Sequence, residues 1–245
     1  MPKIIDVRGP LISNDLKWIY DWFEMDATCP RDIAVALEKA LETQDSLILR
    51  INSPGGYVNV GADIYEAIRS SNVEVEARIV GDCCSAATYI ACASNKTTMS
   101  PLGQYMIHRS MVSGVDGNVN DFSSIVESLT ETDKAIANAY VLKTGMSQEE
   151  IIKLMDKTTW MNADTALSYG FIDEILFTDV TTSGGTPVNL GQINAVENHL
   201  IDENLIQEMM KNKSNILGQQ KADFFNAQKA KARLNLLQLG GNIDE

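Results

Sequence analysis

The fold class is decided by one stretch, residues 46–70, which reads SLILRINSPGGYVNVGADIYEAIRS. Its first six residues (46–51) form a short apolar run typical of a buried strand. The proline and the two glycines of INSPGG (51–56) predict a tight turn, because proline presets one backbone dihedral and glycine tolerates unusual ones. Residues 58–70 read as a helix. The stretch therefore predicts a strand, a tight turn and a helix in direct succession.

Outward from this stretch, the same alternation continues along the chain. Further strands are predicted at 3–12, 73–80, 97–99 and 104–108, and further helices at 30–43, 85–94 and 120–145. We expect Asn120 or Asp121 to cap the last of these helices and Gly145 to end it. Strands separated by helices favour an α/β domain whose sheet is mainly parallel and buried.

Near residue 179 the composition changes. Residues 178–192 contain two adjacent glycines, several threonines and a proline, which is typical of a linker. The residues that follow are polar and helix-favouring, with only loose apolar spacing. We expect a domain at 1–178, a flexible linker at 179–195 and a helical or partly disordered tail at 196–245.

Composition excludes several classes of function. The chain has 245 residues and a formal net charge of −13, which argues against binding to nucleic acid. It contains no run of roughly 18 apolar residues, so we expect no membrane partner. Its start, MPKIIDVRGP, lacks the pattern of a signal peptide. The four cysteines lack CxxC spacing, which fits small core residues in a reducing cytoplasm.

Two of three short motifs offer a backbone site and a nucleophile. INSPGG can bring glycine N–H groups close to a ligand, and it can equally be an ordinary turn. In GDCCSAATYIACAS (81–94), Ser85 stands at the head of a helix, where small neighbours admit a substrate and free N–H groups face a developing oxyanion. Ser85 could also simply cap that helix. Cys83 and Cys84 are rival nucleophiles, although such thiols more often fill core space.

The third motif, YMIHRS (105–110), supplies His108, one of two histidines in the chain. A lone histidine is more often a structural hydrogen-bonding group than a base. This one accompanies a candidate serine and a glycine-rich turn, all at strand ends, which favours nucleophilic catalysis. Because no cysteines or carboxylates cluster with it, we expect no metal site.

In this order and spacing, SPGG, the serine after G-x-x-x, MIH and MNADTALSYGFIDEI (161–175) resemble the Clp protease proteolytic subunit family. The resemblance covers about residues 5–177. It implies the spiral of ββα units that this family shares with crotonases, with a mainly parallel sheet, followed here by a C-terminal helical tail. That tail, and the lack of a long N-terminal segment, resemble the phage head-maturation (prohead) proteases of the family.

The resemblance assigns roles residue by residue. Ser85 matches the nucleophile and His108 the general base, while Gly56 and Ala86 match the amides of the oxyanion hole. A substrate strand would lie extended beside the SPGG segment. The residues thereby implied in substrate binding are Ser53, Pro54 and Gly55.

The third catalytic residue of the family is an aspartate, and here the sequence departs from the pattern. The family position, three residues before Met161, holds Thr158. Asp156 lies two residues earlier and could reach His108 along a slightly different loop path. Asp156 could equally be a solvated surface residue, and both interpretations stay open.

The function implied is a self-compartmentalising serine endopeptidase that cleaves proteins or peptides through an acyl-enzyme. It would act as a phage head-maturation protease or as a Clp-type proteolytic subunit, without a cofactor. The resemblance also implies a homo-oligomeric ring, with helix 120–145 joining rings. Expected partners are a AAA+ unfoldase or capsid and scaffold proteins, in the host cytoplasm or the procapsid interior. A catalytically weak capsid scaffold and a crotonase-type acyl-CoA enzyme, which needs no Ser–His pair, are the alternatives.

Overall fold

The computed structural model describes residues 2–178, 200–213 and 216. The chain divides into two compact units, Met1–Leu200 and Ile201–Glu245. The strands of the first unit are β1 (Lys3–Arg8), β2 (Leu47–Ser53), β3 (Val75–Cys84), β4 (Lys96–Met99), β5 (Gln104–Ile107), β6 (Thr159–Met161) and β7 (Glu174–Ile175). Its helices are α1 (Lys17–Trp22), α2 (Pro30–Thr43), α3 (Val58–Ser70), α4 (Ala87–Ala93), α5 (Val119–Thr144), α6 (Gln148–Asp156) and α7 (Ala163–Ser168). The second unit contains α8 (Glu203–Lys211).

The sheet is parallel except at one pair of strands. Its main path runs β1-β2-β3-β4-β7, and every neighbouring pair on it is parallel. β5 also pairs with β3 in parallel, and β6 adds to β5 as the antiparallel exception. The predicted α/β class with a mainly parallel sheet is therefore confirmed.

β3 pairs with two different strands along its length. Its first part pairs with β4 as far as Ile79, and its last part, from Asp82 to Cys84, pairs with β5. The change coincides with a register shift against β2 between Ile51 and Ser53. Such an irregularity bends a strand and redirects its end. The bend carries the end of β3 to the end of β5, where the two catalytic candidates stand.

α4 lies in the core, directly after β3. All seven of its residues are buried. α3 approaches the start of α4 closely at Gly61, where a Cβ would lie 2.7 Å from the Tyr89 ring and 3.0 Å from the Ala86 Cβ. The small residues that surround Ser85 in sequence therefore serve packing, because they let two helices and a sheet meet around one turn.

The local predictions were mostly confirmed, with shifted ends. α2 and α3 occupy the predicted ranges. β1 ends at Arg8, short of residue 12, because Gly9 turns the chain with φ of 63°. β3 runs four residues past its predicted end, to Cys84.

The predicted N-cap of α5 was wrong, although its C-cap at Gly145 (φ 74°) was right. The cap is Asn118, whose side chain accepts hydrogen bonds from Asn120 N–H (2.8 Å) and Asp121 N–H (3.4 Å). The Asp121 carboxylate accepts one from Asn118 N–H in return (2.8 Å). This reciprocal pair is a capping box, so Asp121 serves the helix start from its third position and not as the cap itself.

Part of the predicted domain organisation lies outside the described residues. The whole expected linker, 179–195, and most of the expected tail, 196–245, lie outside them. Within the tail, α8 is described, and its N-cap Asp202 accepts hydrogen bonds from Asn204 N–H and Leu205 N–H. None of the helices within the described residues is long and apolar enough to cross a bilayer.

Candidate active site

Ser85 lies in the turn between β3 and α4, in a strained backbone conformation. Its φ is 53°, in the left-handed region that residues with a Cβ seldom occupy. Its N–H donates to the Met106 carbonyl (2.8 Å), and its own carbonyl accepts from Thr88 N–H (3.0 Å). The Thr88 hydroxyl donates to the same carbonyl (2.6 Å). Because the surrounding structure holds this conformation so firmly, the strain resembles that stored at functional residues.

The side chain of Ser85 does not cap α4. The N-cap of that helix is Ala86, and no side chain accepts a hydrogen bond from its first turn. The Ser85 hydroxyl is instead 2.7 Å from His108 Nε2. The helix-cap interpretation of Ser85 therefore loses its basis.

His108 follows β5 directly and is more than half buried. β3 and β5 pair in parallel up to this point, so their ends bring the hydroxyl and the imidazole to the same edge of the sheet. Burial lowers the pKa of His108, while the backbone of Arg109 and the charge of Asp133 raise it by smaller amounts. The imidazole is therefore mainly neutral at pH 7 and able to accept the serine proton.

The SPGG turn lies against the serine. Gly55 has φ of 95°, and a Cβ there would lie 2.7 Å from the Ser85 Cβ and 3.0 Å from the Ala86 nitrogen. Only glycine permits this approach. Leu11 N–H donates to the Gly55 carbonyl (2.7 Å) and anchors the turn. Within residues 2–178, the N–H groups of Gly56 and Ala86 make no hydrogen bond, so both are available to an anionic ligand.

The Ser53 side chain builds this turn from inside. It is fully buried, donates to the Gly9 carbonyl (2.7 Å) and accepts from Gly55 N–H (3.2 Å). Pro54 is half-buried. Ser53 can therefore contact a substrate only through its backbone, because its hydroxyl is already engaged.

Neither candidate for the third position makes a described hydrogen bond or ion pair with His108. Asp156 ends α6, and its carboxylate accepts a hydrogen bond from Arg109 Nε at 2.7 Å. That guanidinium lowers the pKa of the half-exposed Asp156 carboxyl. Thr158 is exposed in the following turn, with φ of 50°. Asp156 is therefore neither a free solvated residue nor a hydrogen-bond acceptor of the imidazole; it pairs with the residue next to the histidine.

Sequence reasoning missed two residues of this cluster, Arg109 and Asp133. The Arg109 guanidinium also binds Asp133, with Nη1 3.0 Å from Oδ2. Asp133 is buried on α5, on the same face as Ile136 and Tyr140. An aspartate at a core-facing position of an apolar helical pattern is the signal that could have identified it, because such a group is costly to bury without partners.

The rival nucleophiles are inert. Cys83 and Cys84 are fully buried, and burial raises the pKa of the Cys84 thiol to about 12. Burial also raises the pKa of Cys83 well above its usual range. Neither forms appreciable thiolate at neutral pH. In residues 2–178 and 200–213, no three His, Cys, Asp or Glu side chains are grouped so that they could hold a metal ion.

Comparison with known proteins adds independent findings. The family model described as Clp protease matches residues 27–179. ATP-dependent Clp protease proteolytic subunit 1 of Chlamydia abortus is 32% identical over 134 residues, which cover 54% of this chain and 70% of the relative. An ATP-dependent Clp protease proteolytic subunit of Streptococcus pneumoniae is 33% identical over 143 residues, or 56% of this chain and 72% of the relative. The region that the family model matches includes the SPGG turn, Ser85 and His108.

Proposed function

Since this chain belongs to the Clp protease family and is a serine peptidase of that family, we propose that it hydrolyses peptide bonds through an acyl-enzyme on Ser85. The observation that carries the proposal is the distance of 2.7 Å between Ser85 Oγ and His108 Nε2. A neutral imidazole at that distance is placed to act as general base. The same pair favours an enzyme over a capsid scaffold, and over a crotonase-type acyl-CoA enzyme, since neither needs it.

The proposed reaction has two halves that use the same proton carrier. His108 Nε2 takes the Ser85 proton while Oγ bonds to the peptide carbonyl carbon. His108 then gives that proton to the leaving amine as the carbon–nitrogen bond breaks, which leaves an ester on Ser85. In the second half, His108 takes a proton from water, the hydroxide attacks the ester, and the proton returns to Oγ. No cofactor enters these steps.

The oxyanion of both halves would be held by the N–H groups of Gly56 and Ala86. Both donors lack an intramolecular acceptor within residues 2–178, and the Ala86 nitrogen is close to the SPGG turn. Fixed N–H donors of this kind stabilise a developing negative charge, because they need no rearrangement during the reaction. A peptide substrate would run extended along the SPGG segment and bond through its main chain.

Asp156 would act on His108 indirectly. Its carboxylate binds Arg109, the residue after the base, so we assign it an influence on the position of that segment. Thr158, at the family position of the aspartate, is exposed and takes no direct part in this proposal.

The proposal extends to a closed ring assembly. A main-chain binding mode selects weakly among sequences, so access to the serine has to be restricted by the assembly. Family members form rings, and α5, with 26 residues and a length of about 39 Å, matches the helix that joins them. Its first half carries exposed Val119, Phe122 and Val126, which are spaced for one helical face. Burial of this stripe against a second copy would fit a ring contact.

Two biological roles are open to this peptidase. The matched relatives are named ATP-dependent, which supports an ATP-driven AAA+ unfoldase partner in the cytoplasm. In the second setting, the protein matures a phage head and acts on capsid or scaffold proteins inside the procapsid. Degradation of a stably folded protein only with an unfoldase and ATP would support the first setting.

The test of the reaction is Ser85→Ala. Hydrolysis of a fluorogenic peptide is expected to fall by at least roughly 1,000-fold, because the residue that forms the ester is lost. A fluorophosphonate probe is expected to label the wild type on Ser85 and to leave the variant unlabelled. Cys84→Ala is the matched control and is expected to keep its labelling, since that thiol is inert. Undiminished hydrolysis by pure Ser85→Ala protein would refute the assignment.

A further inference from the structure

The side chain of Asp133, on α5, makes all of its described hydrogen bonds with the two residues that follow His108. Its Oδ1 accepts from Ser110 N–H (2.7 Å) and from the Ser110 hydroxyl (2.8 Å). Its Oδ2 accepts from Arg109 Nη1 (3.0 Å). One buried carboxylate thus fixes both the backbone and the side chains of the segment next to the base.

Burial of the Asp133 carboxylate has a cost in folding free energy. The Asp133 side chain is only 6% exposed, whereas the Arg109 side chain is 38% exposed. Removing a carboxylate from water is costly unless hydrogen bonds compensate, and the three that compensate Asp133 all come from the two residues after His108. The neighbouring core positions of α5 hold Ile136 and Ala137, so packing alone would favour an apolar residue at 133. The carboxylate therefore calls for an explanation beyond packing.

We propose that Asp133 is the positioning residue of His108, which it holds in place through Arg109 and Ser110. The inference rests on the proposed function, because it assigns a role within that catalytic site. It assigns this role to the carboxylate of α5 and not to the one at the end of α6. Asp156 binds Arg109 Nε, is 51% exposed and has no other described hydrogen bond to these groups.

The position of Asp133 has two consequences for the base. The hydrogen bonds of Asp133 hold Arg109 and Ser110 in place, so the imidazole stays within hydrogen-bond distance of the serine. The charge of Asp133 also raises the pKa of His108 against the lowering caused by burial. The polar groups that face or adjoin the imidazole are Ser85, Arg109, Asp133 and, through Arg109, Asp156.

The test measures the rate of fluorophosphonate labelling of Ser85 as a function of pH in the full chain. Labelling requires neutral His108, so the rate falls on the acid side as the imidazole becomes protonated. Asp133→Asn removes the charge that raises the pKa of His108, and the acid limb is therefore expected to move to lower pH, by roughly 0.5–1 unit. The plateau rate is expected to fall between roughly 10- and 100-fold, because the base is no longer held in place.

Matched variants separate this role from a merely structural one. Glu131→Gln removes the same charge from an exposed site two residues earlier on α5, and its acid limb is expected to stay in place. Asp133→Glu keeps the charge and is expected to restore the limb even where the plateau stays low. A purely structural Asp133 would lower the plateau without moving the limb. An unmoved limb in folded Asp133→Asn, or a larger shift in Asp156→Asn, would overturn the proposal.

A second variant tests the same proposal if Asp133→Asn does not fold. The double variant Arg109→Gln/Asp156→Asn leaves Asp133 as the one carboxylate of the cluster, with no guanidinium to neutralise it. The pKa of His108 is then expected to rise and the acid limb to move to higher pH; a limb that stays or falls would overturn the inference. Failure of the proposed function would look different, because the wild type itself would not be labelled.

Discussion

A buried chain of hydrogen bonds connects α5 to Ser85, and breaking it is expected to affect stability and catalysis separately. The Thr88 hydroxyl donates to the Ser85 carbonyl (2.6 Å) and lies 2.7 Å from the Tyr140 hydroxyl. Because Thr88 has one hydroxyl proton, which it gives to the carbonyl, Tyr140 is the donor to Thr88. Thr88 is fully buried and Tyr140 is 1% exposed.

The expected loss of unfolding free energy follows from which hydrogen-bonding group each substitution removes. Thr88→Val keeps the shape of the side chain and leaves the buried Tyr140 hydroxyl without its described partner, which costs about 1–3 kcal/mol of unfolding free energy. The Ser85 carbonyl keeps its bond from Thr88 N–H, so it adds little to that cost. Tyr140→Phe removes the donor itself and is expected to cost about 0.5–1.5 kcal/mol. The double variant is expected to cost less than the sum, because no unpaired hydroxyl remains.

The Thr88→Val change is expected to slow catalysis, because Thr88 supports the strained turn at Ser85. Thr88→Val removes one of the bonds that hold Ser85 at its positive φ, while the SPGG segment is untouched. The kcat is therefore expected to fall by about 5- to 10-fold, the equivalent of about 1 kcal/mol, with little change in KM. Thr88→Ser keeps the hydroxyl and is expected to recover most of the loss.

The assays are urea unfolding at one protomer concentration and steady-state hydrolysis of a fluorogenic peptide. The reasoning fails if Thr88→Val unfolds with wild-type free energy, or if the costs of the two single variants simply add. It also fails if KM rises while kcat stays constant, because that result would place Thr88 in substrate binding and not in the support of Ser85.

Two further predictions concern the SPGG turn and the tail. Gly55→Ala is expected to abolish activity, because its Cβ would lie 2.6 Å from the Cys84 carbonyl and 2.7 Å from the Ser85 Cβ. Gly145→Ala, at φ of 74° with nothing within 4 Å of the added Cβ, is the control; peptide hydrolysis should survive there with a stability loss of about 1 kcal/mol. We also propose that residues after 182 are dispensable for the 1–178 domain. Truncation there is expected to leave the melting temperature and peptidase activity unchanged, and insolubility or a large drop in melting temperature would show that the tail belongs to the core.

The parts of the site that were predictable lie within single βα units. A turn such as SPGG and a serine among small residues are local features, because their backbone conformations depend on residues adjacent in sequence. The strand–helix alternation predicted a mainly parallel sheet, whose strand ends share one edge, so a meeting of Ser85 and His108 at that edge was within reach of sequence reasoning. The short elements α1, α6, α7, β6 and β7 were not assigned, because a few residues show too little periodicity.

The surroundings of His108 were not predictable, because they join distant parts of the chain. Asp156 was expected to face either His108 or solvent, and its partner is Arg109, which is 47 residues away. Asp133 went unnoticed because its partners follow β5, and only the packing of α5 against that strand end brings them together. A carboxylate takes the nearest available cation, and which cation is nearest is a property of the fold.

The sequence alone determined the α/β class and the order of its main elements, and it pointed to the serine, the histidine and the glycine-rich turn as candidates. These follow from periodicity, turn chemistry and motifs, which act over a few neighbouring residues. Only the tertiary structure decided that β3 divides its pairing between β4 and β5, that Ser85 is held at a positive φ by Thr88, and that Arg109 stands between two carboxylates. Each of these outcomes depends on hydrogen bonds and charges that meet across long separations in sequence, where burial and geometry, and not local preference, select the partner.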